Sequence, residues 1–262
     1  MGEEQARRGM HLLTGPLWSH PERKSRSTDM FFFFPVRDLN RPRRTPYVSW
    51  VIIGLCVAIH FYVATLGVDR QETLFRTYGF TPGAFTKAFS VILEEKPIML
   101  LSPLTYIFVH GGWFHLITNM WAFWIYSDNV EDRMGHLWFL LFFFLCGFIA
   151  VAAHFVFNYG DFKPVVGASG ALAGVMAAYL RLFPVARIQC FLWFIFLVRI
   201  IEVPALVVIV VWFLSQLMSV YTSMMGVDVG NVAWYAHVGG FLAGSWLTLL
   251  WYPRQSFRFL QM

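Results

Sequence analysis

Charge is scarce in this chain. Only 13% of its 262 residues are Asp, Glu, Lys or Arg, and 58% are hydrophobic. Soluble domains carry about 25% charged residues, so this scarcity excludes an ordinary soluble domain. Cysteine is nearly absent. Cys56, Cys146 and Cys190 stand singly in apolar surroundings without CxxC spacing. That excludes a disulfide framework or a thiolate metal site and reads as buried, inert thiols. HExxH is missing, which argues against a zinc metalloprotease. No apolar run interior holds Asp or Glu, and no internal repeat is visible. Both absences argue against a small-solute transporter, whose pathway needs buried ionisable groups and paired halves. Residues 1–29 lack the 7–15-residue apolar core of a secretory signal. Ala6 stands where a myristoylation signal wants Ser or Thr.

What is present is a set of long runs without charge. They are 47–68, 97–127, 137–160, 164–180, 203–227 and 229–253. A span needs about 20 apolar residues, so six membrane helices are expected. The first covers Tyr47–Leu66, stopped upstream by Pro42 and Pro46. The second is short, Trp113–Asp128, and the third is Leu137–Phe157. The fourth runs from about Ala168 to before Pro184. The fifth starts at Pro204 and the sixth covers Val232–Trp251. The segment 67–104 is too long for a bare connection, and pieces such as PGAFTKAFSVILEE suit the membrane interface. The apolar run Ile188–Val198 is expected as an interfacial segment, because a lone strand in lipid would leave its backbone unpaired. Three regions follow: a basic cytoplasmic segment 1–46, a membrane domain 47–252 and a short cytoplasmic tail 253–262. Residues 1–29 read as a disordered tail or an upstream start that gives way to Met30.

Lys and Arg set the orientation. Numbering the gaps alternately puts Arg70, Arg76, Lys87, Lys96 and Lys163 on one side and the rest of the 20 basic residues on the other. Both termini are therefore expected in the cytoplasm. Topology and anionic lipid explain the pI of about 9.2. Nucleic acid is not expected as a partner, because no basic stripe with interleaved aromatics appears outside the N-terminal arm.

With that orientation, helices two, four and six all begin on the outer side. His115 and Asn119 lie one turn apart on helix two. Ser169 lies in the first turn of helix four, and His237 lies near the start of helix six. Four polar groups from three helices thus share one layer. The small-residue pairs Gly170-x-x-x-Gly174 and Gly240-x-x-x-Gly244 suit close helix contact, which would let Ser169 meet His237. A serine hydroxyl is a weak nucleophile until a base takes its proton. No carboxylate shares the layer, so a Ser–His dyad is expected. The first-turn amides of helix four, with Gly167 and Ala168 letting backbone approach, suit an oxyanion. His115 and Asn119 add side-chain donors.

These residues resemble the rhomboid intramembrane serine proteases. HGGWFHLITNM (110–120), DNVEDRMGH (128–136), GASG (167–170) and AHVGGFLAG (236–244) are similar to the family's motifs, and PVRDLNRPRRTPYVSW (35–50) resembles the lead-in of bacterial members. The resemblance spans about residues 30–252. It implies an all-α, polytopic, six-helix membrane fold with a long outer loop between helices one and two. It implies proteolysis of transmembrane substrates in a bacterial cell membrane, with no cofactor and no metal. By motif position, Ser169 is the implied nucleophile, His237 the implied base, and His115 and Asn119 the oxyanion partners. Glu131 and Arg133 would brace the turn between helices two and three. Some members stack a tyrosine on the base from one turn after the serine. Ala173 stands there instead, and Trp234 or Tyr235 are the expected substitutes. A catalytically inactive rhomboid-like protein that binds transmembrane clients is the competing reading, and it would be expected to lack Ser169 or His237.

Overall fold

A computed structural model describes residues 31–87, 97–194, 196–227, 230 and 232–251. The tails 1–29 and 253–262 lie outside the described residues, as do residues 88–96 of the amphipathic stretch. Six helices form the bundle: α1 (Tyr47–Ala64), α2 (Trp113–Met134), α3 (His136–Phe157), α4 (Ser169–Leu182), α5 (Ala205–Met224) and α6 (Trp234–Trp251). The chain is an all-α polytopic membrane protein in its bundle. By length and composition, α1, α3 and α5 are each sufficient to cross a bilayer.

α4 is the centre. It is only 14 residues long, and every residue from Gly170 to Tyr179 is buried. It packs against α6, α3 and α2. Its small residues make this possible. A Cβ on Gly174 would sit 2.5 Å from Cys146 Sγ of α3, and one on Gly170 would sit 2.7 Å from Ala150 Cβ. On the α6 side, Gly240 lies against the Gly170 carbonyl and Gly244 against Gly174. α1 and α5 are peripheral and leave apolar faces bare, including Trp50, Leu55 and Phe61 on α1 and Val211, Leu214 and Met218 on α5. In a bilayer such faces meet lipid without penalty.

Two expectations change here. α2 does not stop at Asp128 but continues to Met134. Charges at a helix end are tolerated because they have partners. Glu131 is fully buried. It accepts hydrogen bonds from the Val48 amide at 2.9 Å, the Ser49 amide at 2.8 Å and the Ser49 hydroxyl at 2.7 Å. α1 begins after Pro46 with no side-chain cap of its own. Glu131 therefore caps α1 from another helix, where first-turn amides lack intrahelical acceptors. The oxygen that serves Val48, Oε1, also meets His136 Nδ1 at 2.6 Å, across the turn at Gly135. Asp132 accepts from the Arg43 and Arg44 amides. The bracing expected of Glu131 thus reaches α1 as well as α3, while Arg133 is exposed.

The second change concerns Ile188–Val198. It is not a single interfacial segment but part of an antiparallel hairpin, β2 (Arg187–Phe194) and β3 (Leu197–Pro204). The segment before α1 forms β1 (Phe31–Asp38), which pairs with β2 to give the order β1-β2-β3. A lone strand in lipid would leave its backbone unpaired, but β2 is paired on one edge by β3 and on the other by β1. A register shift between Pro35 and Arg37 accommodates the proline, which has no N–H to give the ladder. Trp121 of α2 donates to the Pro35 carbonyl at 2.9 Å. Asp38 accepts from the Tyr179 hydroxyl of α4 at 2.6 Å and from Asn129 of α2 at 2.8 Å. The sheet is therefore fastened to the end of α4 opposite Ser169. Cys56, Cys146 and Cys190 are free and buried.

Candidate active site

The turn before α4 is built first. Tyr106 is fully buried, and its hydroxyl donates to the Gly147 carbonyl at 2.7 Å. Its own carbonyl accepts from the Gly167 amide at 2.9 Å. Phe80 and Val165 exchange backbone hydrogen bonds a few residues upstream. Gly167 has φ +114°, a region other residues rarely adopt, and a Cβ there would lie 2.6 Å from His115 Nε2. The glycine thus provides both the turn and the space for the imidazole. Ala168 is the N-cap and Ser169 the first residue of α4. The opening amides of α4 have no intrahelical acceptor and carry the positive end of the helix dipole.

Ser169 Oγ and His237 Nε2 lie 2.7 Å apart. They come from α4 and α6, and the glycine contacts between those helices set the separation. His237 is buried whereas Ser169 is half-buried, so the hydroxyl remains reachable. His237 sits in the first turn of α6. Its other nitrogen, Nδ1, lies 2.8 Å from Oε1 of Gln216, a buried residue of α5. Sequence reasoning missed Gln216. Its only signal was a lone amide in an otherwise apolar run. Trp234 does approach the ring edge-on at 5.9 Å, and Trp212 approaches at 6.0 Å. Tyr235 does not support the base, because it stacks on Phe157 at 4.8 Å instead.

His115 and Asn119 face the same end. The Gly111 amide points at His115 Nδ1 at 3.4 Å. Nδ1 then acts as acceptor, and the neutral ring carries its proton on Nε2, the atom above Gly167. Asn119 Nδ2 donates to the His115 carbonyl at 2.8 Å. A side-chain amide has two N–H groups, so one of them is spent within α2. Ser169, His237, His115, Asn119 and Gly167 are thus brought to one end of the bundle. Gly170, Gly174, Gly240 and Gly244 lie in the seam beneath them. No group of three His, Cys, Asp or Glu suited to a metal occurs among the described residues.

The sequence matches the family model of the Rhomboid domain over residues 99–254, more than half of the chain. It is 27% identical over 165 residues to the presenilin-associated rhomboid-like protein, mitochondrial, of Bos taurus. That alignment covers 60% of this chain and 41% of the relative. The human protein of the same name gives the same figures. The A form from Danio rerio is 25% identical over 120 residues, covering 45% of this chain and 28% of the relative. The chain therefore spans less than half the length of these relatives.

Proposed function

Since the chain belongs to the rhomboid family, we propose that it is an intramembrane serine endopeptidase acting on transmembrane segments of other membrane proteins. The observation that carries this reading is the 2.7 Å contact between Ser169 Oγ and His237 Nε2. It pairs a nucleophile with a base at hydrogen-bond distance.

The chemistry follows from the atoms present. Ser169 Oγ attacks the carbonyl carbon of the scissile bond, and its proton passes to His237 Nε2. The carbonyl oxygen becomes an oxyanion near the Ser169 amide, His115 Nε2–H and the remaining Asn119 N–H. A single such donor is worth about 2.7–4 kcal/mol. The C–N bond then breaks as His237 returns the proton to the leaving amine. Water, activated by the same imidazole, cleaves the acyl ester and restores the hydroxyl. No cofactor is needed.

Membrane orientation belongs to the same proposal. All but five Lys and Arg fall on one side of the expected topology. We place that side in the cytoplasm of a bacterial cell, with both termini, and the active site toward the outer face. A transmembrane helix entering the site must unwind, because helical peptide bonds keep their carbonyls hydrogen-bonded. Helix-breaking residues near the cut are therefore expected in substrates.

Reconstitution with a cleavable transmembrane reporter tests the reading. Wild type should cleave it, and Ser169→Ala and His237→Ala should not. Equal cleavage by all three proteins would overturn the proposal. A fluorophosphonate probe should label wild type and spare Ser169→Ala.

A further inference from the structure

The geometry points to Gln216 as the positioning residue that sets the tautomer of His237, so that α5 supplies a third member of the site. The inference rests on the protease reading above.

The amide of Gln216 cannot take either orientation freely. Nε2 donates to the Trp212 carbonyl at 3.1 Å and to Ser215 Oγ at 2.8 Å. Ser215 Oγ in turn donates to the same Trp212 carbonyl at 2.6 Å, which leaves its lone pairs for Gln216. Flipping the amide would set Oε1 against the Trp212 carbonyl, acceptor against acceptor. It would also face a hydroxyl whose hydrogen is already committed. Oε1 is therefore the atom turned to His237 Nδ1, at 2.8 Å.

An amide oxygen has no hydrogen to give, so Nδ1 must carry the proton. In the neutral ring that leaves Nε2 bare, and Nε2 is the atom 2.7 Å from Ser169 Oγ. The base is thus held in the one tautomer that accepts the serine proton. When the imidazolium forms, the Gln216 dipole faces the positive ring. A carboxylate in this place would be costly to bury within the bundle, and a neutral amide orients the ring without that cost. α5 is otherwise lightly held. Gln216 is its only buried residue beyond the Ala205, Val208 and Ile209 positions of its first turns. Near it, Phe213 stacks on Phe241 at 4.0 Å.

The test uses the full-length protein with Gln216→Met, which keeps the side-chain length, and Gln216→Glu, whose acid form, favoured by burial, can donate to the Trp212 carbonyl and still turn an acceptor oxygen to Nδ1. Nitrogen NMR of labelled histidine, with His237→Ala to assign the signal, reads the tautomer without requiring activity. Wild type and Gln216→Glu should show the proton on Nδ1, and Gln216→Met should show a mixture. In reporter cleavage, Gln216→Met should lose about 10- to 100-fold in kcat with KM within about two-fold. Gln216→Glu should recover to within about five-fold of wild type. An unchanged tautomer in Gln216→Met overturns the inference, as does a kcat within about two-fold of wild type. If wild type is inert to reporter and probe alike, the protease reading falls, and the NMR comparison still decides the role of Gln216.

Discussion

Gly240 of α6 rests directly on the carbonyl of Gly170 in α4, with no room for a methyl group between them. This contact fixes how far the helix bearing His237 stands from the helix bearing Ser169. Gly240→Ala should therefore cost about 1–3 kcal/mol of stability, the usual penalty of overpacking. It should also lower turnover, by forcing Oγ and Nε2 apart. Gly54→Ala is the control, because nothing lies within 4 Å of a Cβ there. It should be neutral, or stabilising by about 0.5–1 kcal/mol as a helical glycine replaced. Thermal unfolding in detergent, alongside reporter cleavage, measures both. Equal behaviour of the two variants would refute this account of the seam.

Gly167→Ala should be worse for activity than for folding. The backbone there has φ +114°, and the new methyl would meet His115 Nε2 at 2.6 Å. Backbone strain of this kind costs about 1–3 kcal/mol, while displacing the imidazole would remove the oxyanion donor proposed for His115. Turnover should fall about 100-fold or more. A variant with wild-type kcat would show that His115 does not act from this position.

Asn119→Ala should lower turnover without abolishing it, by about 10- to 100-fold. One of its N–H groups serves the His115 carbonyl, and other donors remain at the site. Complete inactivity in a folded Asn119→Ala protein would assign it a larger role than oxyanion support.

Glu131→Ala should destabilise the protein by about 3–5 kcal/mol. It strands the Val48 and Ser49 amides and removes the partner of His136. Glu131→Gln keeps an acceptor oxygen and should lose less. Unfolding midpoints of the two variants decide it, and the fluorophosphonate labelling rate should change little in whatever fraction stays folded.

Asp38 predicts a pH dependence. Burial raises its carboxyl above the usual 3.8, against hydrogen bonds from Tyr179 and from the Asn40 and Leu39 amides. The folded protein thus holds this proton to a higher pH than the unfolded chain does. Stability contributed at this position is fullest below the ordinary value and falls as pH rises through the raised one. The gap in unfolding midpoint between wild type and Asp38→Ala should be wider at about pH 4 than at about pH 8. A gap that widens with rising pH would contradict the burial effect.

Much of the bundle was legible because its signals are local. Helix starts at Tyr47, Trp113 and Ser169 follow from proline, glycine and apolar runs. The placing of Ser169 near His237 was inferable because depth along a helix can be counted from sequence. Three features were not legible, and all depend on distant partners. The inner position of β2 depends on β1, about 150 residues earlier, which covers the edge that the β2–β3 hairpin leaves open. The continuation of α2 past Asp128 depends on buried polar contacts to α1. Gln216 looked like an isolated amide until α5 was set against α6. In each case the deciding hydrogen bond joins segments that no local pattern connects.

The capping of α1 by Glu131 has a consequence for biogenesis. The carboxylate that completes the first helix is encoded 82 residues after the Ser49 amide it serves. At a synthesis rate of 5–20 residues per second, α1 waits about 4–16 s on the ribosome before that partner exists. During this interval its opening amides can be met by water or lipid headgroups but not by Glu131. Until the second helix arrives, the opening turn of the first is completed by solvent or headgroups alone.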